Sequence, residues 1–361
     1  MKKKFLTIGL ALSFILSPIA MEAQDTSVPE KVMQSIYEEV KTPYKYGLVM
    51  TGTDAGRVTD CPTIFRKGDK WYMYYFVFDG KGYETWMAVS DDLLHWTTTG
   101  KVLSFSGKED WDAVQKGGYI ALPDTEWGGE YELNSYSGKY WMSYFGSNVT
   151  GYEAGDLSVG IAYTDGDPTK AHEWQRLKTP VLTPKDADAS WWDNDKIYKN
   201  SIIRDTEKLT GHSFLMYYNA KGDAERIGMA VSDDMVHWKR YGKDPLLDHG
   251  KGITGDAYLQ KIGDVWVMFY FGAFWNKDPE IRAWNTFACS YDLLHWTDWT
   301  GKPLVQSSEE YDSRYAHKSC VIKYNGIVYH FYCAVDNNRN RGIALATSKD
   351  LGKSSINYPV K

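Results

Sequence analysis

The chain has 361 residues, 43% hydrophobic and 15% aromatic, with 41 Lys and Arg against 47 Asp and Glu for a formal net charge of -6. That is enough chain to bury a large core, and the acidic balance gives no electrostatic reason to expect nucleic acid as a partner. The 15 Trp and 27 Tyr supply strand-forming surface and flat faces on which sugar rings stack.

Residues 1–23 read as a secretory signal. Lys2-Lys3-Lys4 is a basic start, Phe5 to Met21 is an apolar run broken by Pro18, and Ala23 is a small residue ahead of Gln24. The run is too short and too interrupted for a membrane anchor. The expectation is an exported protein, periplasmic or extracellular, monomeric and free of the membrane after cleavage. Residues 24–50 read as an N-terminal extension in which Ser27, Pro29 and Glu30 start a short helix before Val32, Met33 and Ile36.

From residue 51 to 361 the chain reads as one domain built by repetition. Five aromatic runs recur: Lys70–Phe76, Lys139–Phe145, Ser213–Tyr218, Val265–Phe271 and Ile327–Cys333. Four are entered through tight two-residue turns, Gly68-Asp69, Ser137-Gly138, Gly263-Asp264 and Asn325-Gly326, the signature of hairpins. Three are followed by near copies of one segment, Ala88-Val-Ser-Asp-Asp-Leu-Leu-His-Trp96, Ala230-Val-Ser-Asp-Asp-Met-Val-His-Trp238 and Ala288-Cys-Ser-Tyr-Asp-Leu-Leu-His-Trp296. Five four-stranded units in a row predict an all-β fold, a five-bladed β-propeller with a short N-terminal helical segment.

In each unit the A–B and C–D turns lie at one end, and the A start and the B–C loop lie at the other. The tight, repetitive turns occupy one face, so the variable loops and the strand starts define the functional face. Counting back from the turns places Asp60, Glu132 (or Glu130), Asp256 and His317 around that mouth as catalytic candidates. Glu84, Glu153, Lys199, Asn200, Arg226, Trp275 and Arg341 are the candidates for substrate binding. Carboxylates, a His and several cations at one opening are raw material for acid–base chemistry. The Ser-Asp-Asp and His-Trp residues of the repeat fall on the far face and read as structural. Cys61, Cys289, Cys320 and Cys333 lack metal-ligand spacing. No cofactor is expected, with a structural cation in the central channel left open.

Asp60-Cys-Pro62, Trp71-Tyr-Met-Tyr-Tyr75 and Ala88 to Trp96 together resemble the five-bladed propeller glycoside hydrolases, the group containing families 43, 62, 32, 68, 117 and 130. The resemblance implies a glycosidase with a carbohydrate substrate, exo-acting and inverting, with paired acid and base residues at the propeller mouth. Against family 43 it implies Asp60 as general base. Ile197-Tyr-Lys-Asn200 stands where that family carries its acidic Glu. Family 117, which uses two Asp and a His acid, implies Asp60, Asp256 and His317 in those roles. Glycoside phosphorylase and sugar-binding propeller are the alternatives.

Overall fold

The structure, a computed structural model, describes residues 26–52 and 57–359; residues 1–23, expected to be a secretory signal, lie outside them. Apart from the helix Glu30–Val40 and a single 3-10 turn, Glu310–Asp312, the described elements are strands. The helix buries Met33, Ile36 and Val40, positions three and four apart that share one stripe. It stacks Tyr37 on Trp299 with ring centroids 4.9 Å apart. Among the described residues no helix is long and apolar enough to cross a membrane.

The aromatic runs become the second strands of antiparallel meanders. Val58–Lys67, Lys70–Phe78, Tyr83–Ser90 and Thr97–Leu103 form one four-stranded sheet, and Gln115–Ile120, Tyr140–Ser147, Ser158–Thr164 and Gln175–Arg176 form another. A nine-stranded sheet contains two further meanders, which start at Lys196–Arg204 and Ile253–Ile262. A single parallel pair, Glu225 with Ile253, joins them. The last sheet takes Tyr315–Tyr324, Ile327–Val335 and Arg341–Thr347 and gains its outer strand from Tyr44–Thr51 at the other end of the chain. The first strands of these meanders adjoin one another cyclically, and Tyr315–Tyr324 returns to Val58–Lys67. This is the packing of a propeller, with the first strand of each meander innermost.

The Ser-x-Asp-x-x-His-Trp segments form one turn three times over. In the first copy the Ser90 hydroxyl accepts from the backbone N–H groups of Asp92 and Leu93, and Asp92 Oδ1 accepts from Leu94 and His95. His95 Nδ1 sits 2.7 Å from Asp92 Oδ2, and the Trp96 indole donates to Leu93. The copies at Ser232 and Ser290 repeat these bonds. Leu93, Met235 and Leu293 take the left-handed backbone conformation the turn requires, at φ 68°, 67° and 68°. The motif is structural, as its place in the repeat implied.

A second repeated device escaped the sequence reading. Asp112, Asp193 and Asp312 are fully buried ahead of three inner strands. Each accepts a tyrosine hydroxyl from the second strand of its meander: Tyr144 at 2.7 Å, Tyr218 at 3.0 Å and Tyr332 at 2.8 Å. Each also meets a cation on the outermost strand: Arg176, Arg240 and Lys45 respectively. One carboxylate thereby ties the loop before the inner strand to the middle and the edge of the same sheet.

Candidate active site

Four of the inner strands carry a register shift near their start, between Asp60 and Thr63, Tyr198 and Asn200, Gly255 and Tyr258, and His317 and Ser319. In each bulge one non-glycine residue adopts positive φ: Cys61 at 49°, Lys199 at 46°, Asp256 at 58° and Lys318 at 64°. Bulges re-aim side chains, and strain of this kind gathers at functional sites. Here the four bulged residues line one cavity of ≈ 30 Å³ on the propeller axis, together with Tyr119 and Asn200.

Asp60 is 1% exposed and lies beside the bulged Cys61. Its Oδ2 accepts from Lys318 Nζ at 2.8 Å and from Arg341, while Oδ1 accepts from the Cys61 backbone N–H at 3.0 Å and from the Cys333 thiol. Burial alone would raise its pKa. Lys318 and Arg341 reverse this and hold the carboxyl well below the usual range. A carboxylate with a depressed pKa stabilises the fold above its unfolded value of about 3.9, and that contribution is lost as pH falls toward the folded value. We therefore expect the difference in Tm between the wild type and Asp60→Asn to be largest near neutral pH and to shrink below pH of about 4. A pH-independent difference would count against the ion pairs.

Asp256 behaves oppositely. Burial raises its pKa, and the ammonium groups of Lys199 and Lys318 offset this only in part. Its Oδ1 has no hydrogen-bond partner. The Lys199 ammonium stands 3.7 Å from Asp256 Oδ1 and 3.7 Å from Glu153 Oε1. Burial works against that charge, and Asp256 and Glu153 outweigh it, holding Lys199 above the ordinary lysine value. Glu225 accepts from Asn219 Nδ2 at 2.9 Å. Glu153 and Glu225 both bear on the buried Tyr198 phenol, whose pKa burial raises first and the two carboxylates raise further. Both glutamates are partly open to solvent at the mouth.

The loop carrying Glu153 crosses the opening. Tyr152, 48% exposed, accepts from Arg341 Nη1 at 3.0 Å and lies 5.8 Å from the Tyr83 ring. On the other side Phe274, 55% exposed and at φ 65°, meets Tyr315 edge-on at 6.1 Å. Two exposed aromatic faces thus flank a floor of charged groups.

The structure brings together Asp60, Asp256, His317, Glu153, Lys199, Asn200 and Arg341, and leaves four candidates outside the cluster. Glu132 is exposed and its backbone bridges Arg66 toward the opposite end, because the strand that starts at Gln115 ends at Ile120 and the chain then leaves the sheet. Glu84 pairs with Lys101 at 2.8 Å on the outer strand of its own sheet. Arg226 is held by Asp223 and Asp248, each at 2.7 Å, beneath Trp191. Trp275 packs flat on His249 at 3.8 Å and donates to the Ile253 carbonyl. The Trp127 indole donates to Glu39 of the helix.

His317 is at the floor, with Nδ1 3.1 Å from the Cys333 carbonyl oxygen. Burial first, then Lys318 and Arg341, push its pKa well below the usual histidine value. The imidazole is neutral and suited to orienting rather than to donating a proton as a cation. Tyr119 and Asn219 went unread in the sequence, and Cys333 reads there only as a cysteine without metal-ligand spacing. Counting register from the hairpin turns would have found two of them, since Cys333 pairs with His317 and Asn219 with Tyr198.

No protein-family model matches the chain, and neither does any curated protein. Among solved structures, one of BT0996 described as an RGII complex is 52% identical with TM-score 0.90, covering 92% of this chain and 99% of that one. A structure described as "Glycoside hydrolase" is 51% identical with TM-score 0.90 over the same shares. Zg3597, a family 117 glycoside hydrolase from the marine bacterium Zobellia galactanivorans, shares the fold at 16% identity and TM-score 0.60, covering 87% of this chain and 92% of that one. The all-β architecture, the carboxylate-lined mouth and the close relatives agree: this chain belongs to the propeller glycoside hydrolases and is a glycosidase.

Proposed function

We propose that the chain is an exported, five-bladed propeller that removes sugars from the end of a glycan with inversion, using Glu153 and Glu225 as its acid–base pair. The observation that carries this reading is the geometry around Lys199. Glu153 stands beside the ammonium, and Glu225, on the third strand of the meander that carries Lys199, bears with Glu153 on the Tyr198 phenol. Both are open to solvent, whereas Asp60 is sealed by two cations. A general base must reach water and a general acid must reach the leaving oxygen. Asp60 instead fixes Lys318 and Arg341, and Asp256 supplies a second, less ionised carboxyl beneath the reacting sugar.

Inverting enzymes set their two carboxyl groups about 6.5–9.5 Å apart so that water fits between sugar and base. Carboxylates on adjoining blades, separated by the Tyr198 and Lys199 side chains, suit such a spacing. End-on action follows from the closed floor. The cavity that the bulged residues line is only ≈ 30 Å³, too small to pass a sugar ring, and the Tyr152 loop bars one side, so a polysaccharide enters by its terminus. The cyclic neighbours among the inner strands support five blades, and the basic, apolar start of the sequence supports export.

RGII, with which one close relative is described in complex, is the first substrate to screen, beside a panel of oligosaccharides of defined linkage. Release of a single sugar with inverted anomeric configuration, followed by NMR during turnover, is the expected result; retained configuration overturns the inverting assignment. The reaction is hydrolysis rather than phosphorolysis, because Lys199, Lys318 and Arg341 each already stand beside a carboxylate. The rate should therefore be unchanged when inorganic phosphate is added or removed, with free sugar as the product.

A further inference from the structure

Cys61 and Cys333 lie 272 positions apart in sequence and meet at the floor of the mouth. The Cys61 backbone N–H donates to Cys333 Sγ at 3.0 Å. Both thiols approach Asp60 Oδ1, and the two sulfur atoms and that oxygen all lie within 4.8 Å of one another. The three groups have the spacing of a metal site, but the Lys318 and Arg341 cations already bind the same carboxylate. A metal ion there would face two positive charges at contact distance. Two facing thiols have a second chemistry open to them.

We propose that Cys61 and Cys333 are a disulfide-forming pair that covalently closes the propeller ring. The sulfurs sit where the strand Val58–Lys67 of the first sheet meets Ile327–Val335 of the last, the seam at which the ring shuts. Both cysteines are buried, at 3% and 0% exposure, and burial raises the Cys333 thiol well above its usual pKa. The folded protein therefore shields the pair, and the bond forms while the seam is still open.

The oxidant is a small-molecule disulfide such as oxidised glutathione. One cysteine loses its proton and attacks the external disulfide, giving a mixed disulfide and releasing one thiol. The other cysteine, as thiolate, attacks the bound sulfur, forms the Cys61–Cys333 bond and releases the second thiol. Two protons and two electrons leave the protein, and the external disulfide is reduced to two thiols. Cys289 and Cys320 are buried in the largest hydrophobic cluster of the core and remain reduced. A crosslink closing so long a loop removes much of the entropy of the unfolded chain.

The test is refolding of the full chain in buffers of graded reduced and oxidised glutathione. Thiols are then counted in denaturant, and an unreduced digest is mapped by mass spectrometry. The expected result is two free thiols per chain, a peptide joining Cys61 to Cys333, and a Tm that drops by about 5 °C or more when reductant is added. Cys333→Ser should abolish the reductant effect on Tm. Should that variant not fold, the thiol count and peptide map of the wild type decide the matter alone. Four free thiols in every redox buffer, or a bond between any other pair, overturns the proposal.

Discussion

Glu153→Gln and Glu225→Gln should each lower kcat/KM by about 10³-fold while leaving the folded structure and Tm nearly unchanged. Both side chains are partly solvent-exposed, so an isosteric amide removes the proton chemistry without opening a cavity, and in Glu153→Gln the buried Lys199 ammonium keeps Asp256 as its carboxylate. A series of aryl glycosides with leaving groups of decreasing pKa separates the two roles. The variant lacking the acid regains rate as the leaving group improves, because protonation of the departing oxygen then matters less. The variant lacking the base stays slow throughout, because water still has nothing to accept its proton. Wild-type turnover by either folded variant would remove that residue from the reaction.

Asp60→Asn should fail differently. It leaves Lys318 and Arg341 buried against a neutral amide, so its loss of activity should come with a loss of stability. That contrast makes the comparison informative. A drop in rate at constant Tm marks the reacting pair, and a drop in both marks the scaffold beneath it.

The second large effect belongs to the buried aspartates. Asp193→Ala should destabilise the fold by about 3–5 kcal/mol, because removing one partner of a buried pair leaves the other uncompensated. Arg240, with 4% side-chain exposure, loses the 2.6 Å contact from its Nε, and the Tyr218 hydroxyl loses its acceptor. The contacts of Arg240 with Asp186 and Asp188 persist at the surface and offset only part of the loss. Urea denaturation should show the lower midpoint at an unchanged slope. Adding Arg240→Met should restore part of the stability, since replacing a whole buried pair with apolar groups costs far less than breaking it. A double variant no more stable than the single one would show that the arginine serves mainly its surface partners.

The propeller was legible because its hairpin turns and its Ser-x-Asp-x-x-His-Trp turns are local. Every hydrogen bond of the latter joins residues at most three apart, so sequence spacing and spatial spacing coincide. The placement of Asp60, Asp256 and His317 at one mouth followed from counting strands. What counting could not supply was charge pairing across sheets. Asp60 looks like a free carboxylate in sequence, and only the approach of Lys318 and Arg341, 258 and 281 positions away, shows it to be spoken for. Glu132 failed for a simpler reason. The second meander has the shortest inner strand and a long excursion after Ile120, so the count back from Ser137-Gly138 landed in the excursion. The buried aspartates were hidden because Trp111-Asp112, Trp192-Asp193 and Tyr311-Asp312 share only an aromatic-Asp pair, too short to announce itself as a repeat.

The strand Tyr44–Thr51 pairs with Arg341–Thr347, so that Tyr44 lies opposite Thr347. On the ribosome this edge emerges long before its partner strand. Until Arg341–Thr347 has been made, Tyr44–Thr51 has no strand to pair with in its sheet. Contacts so distant in sequence slow folding. A product truncated before Arg341 would leave Tyr44–Thr51 as an unpaired edge, an invitation to pair with another chain.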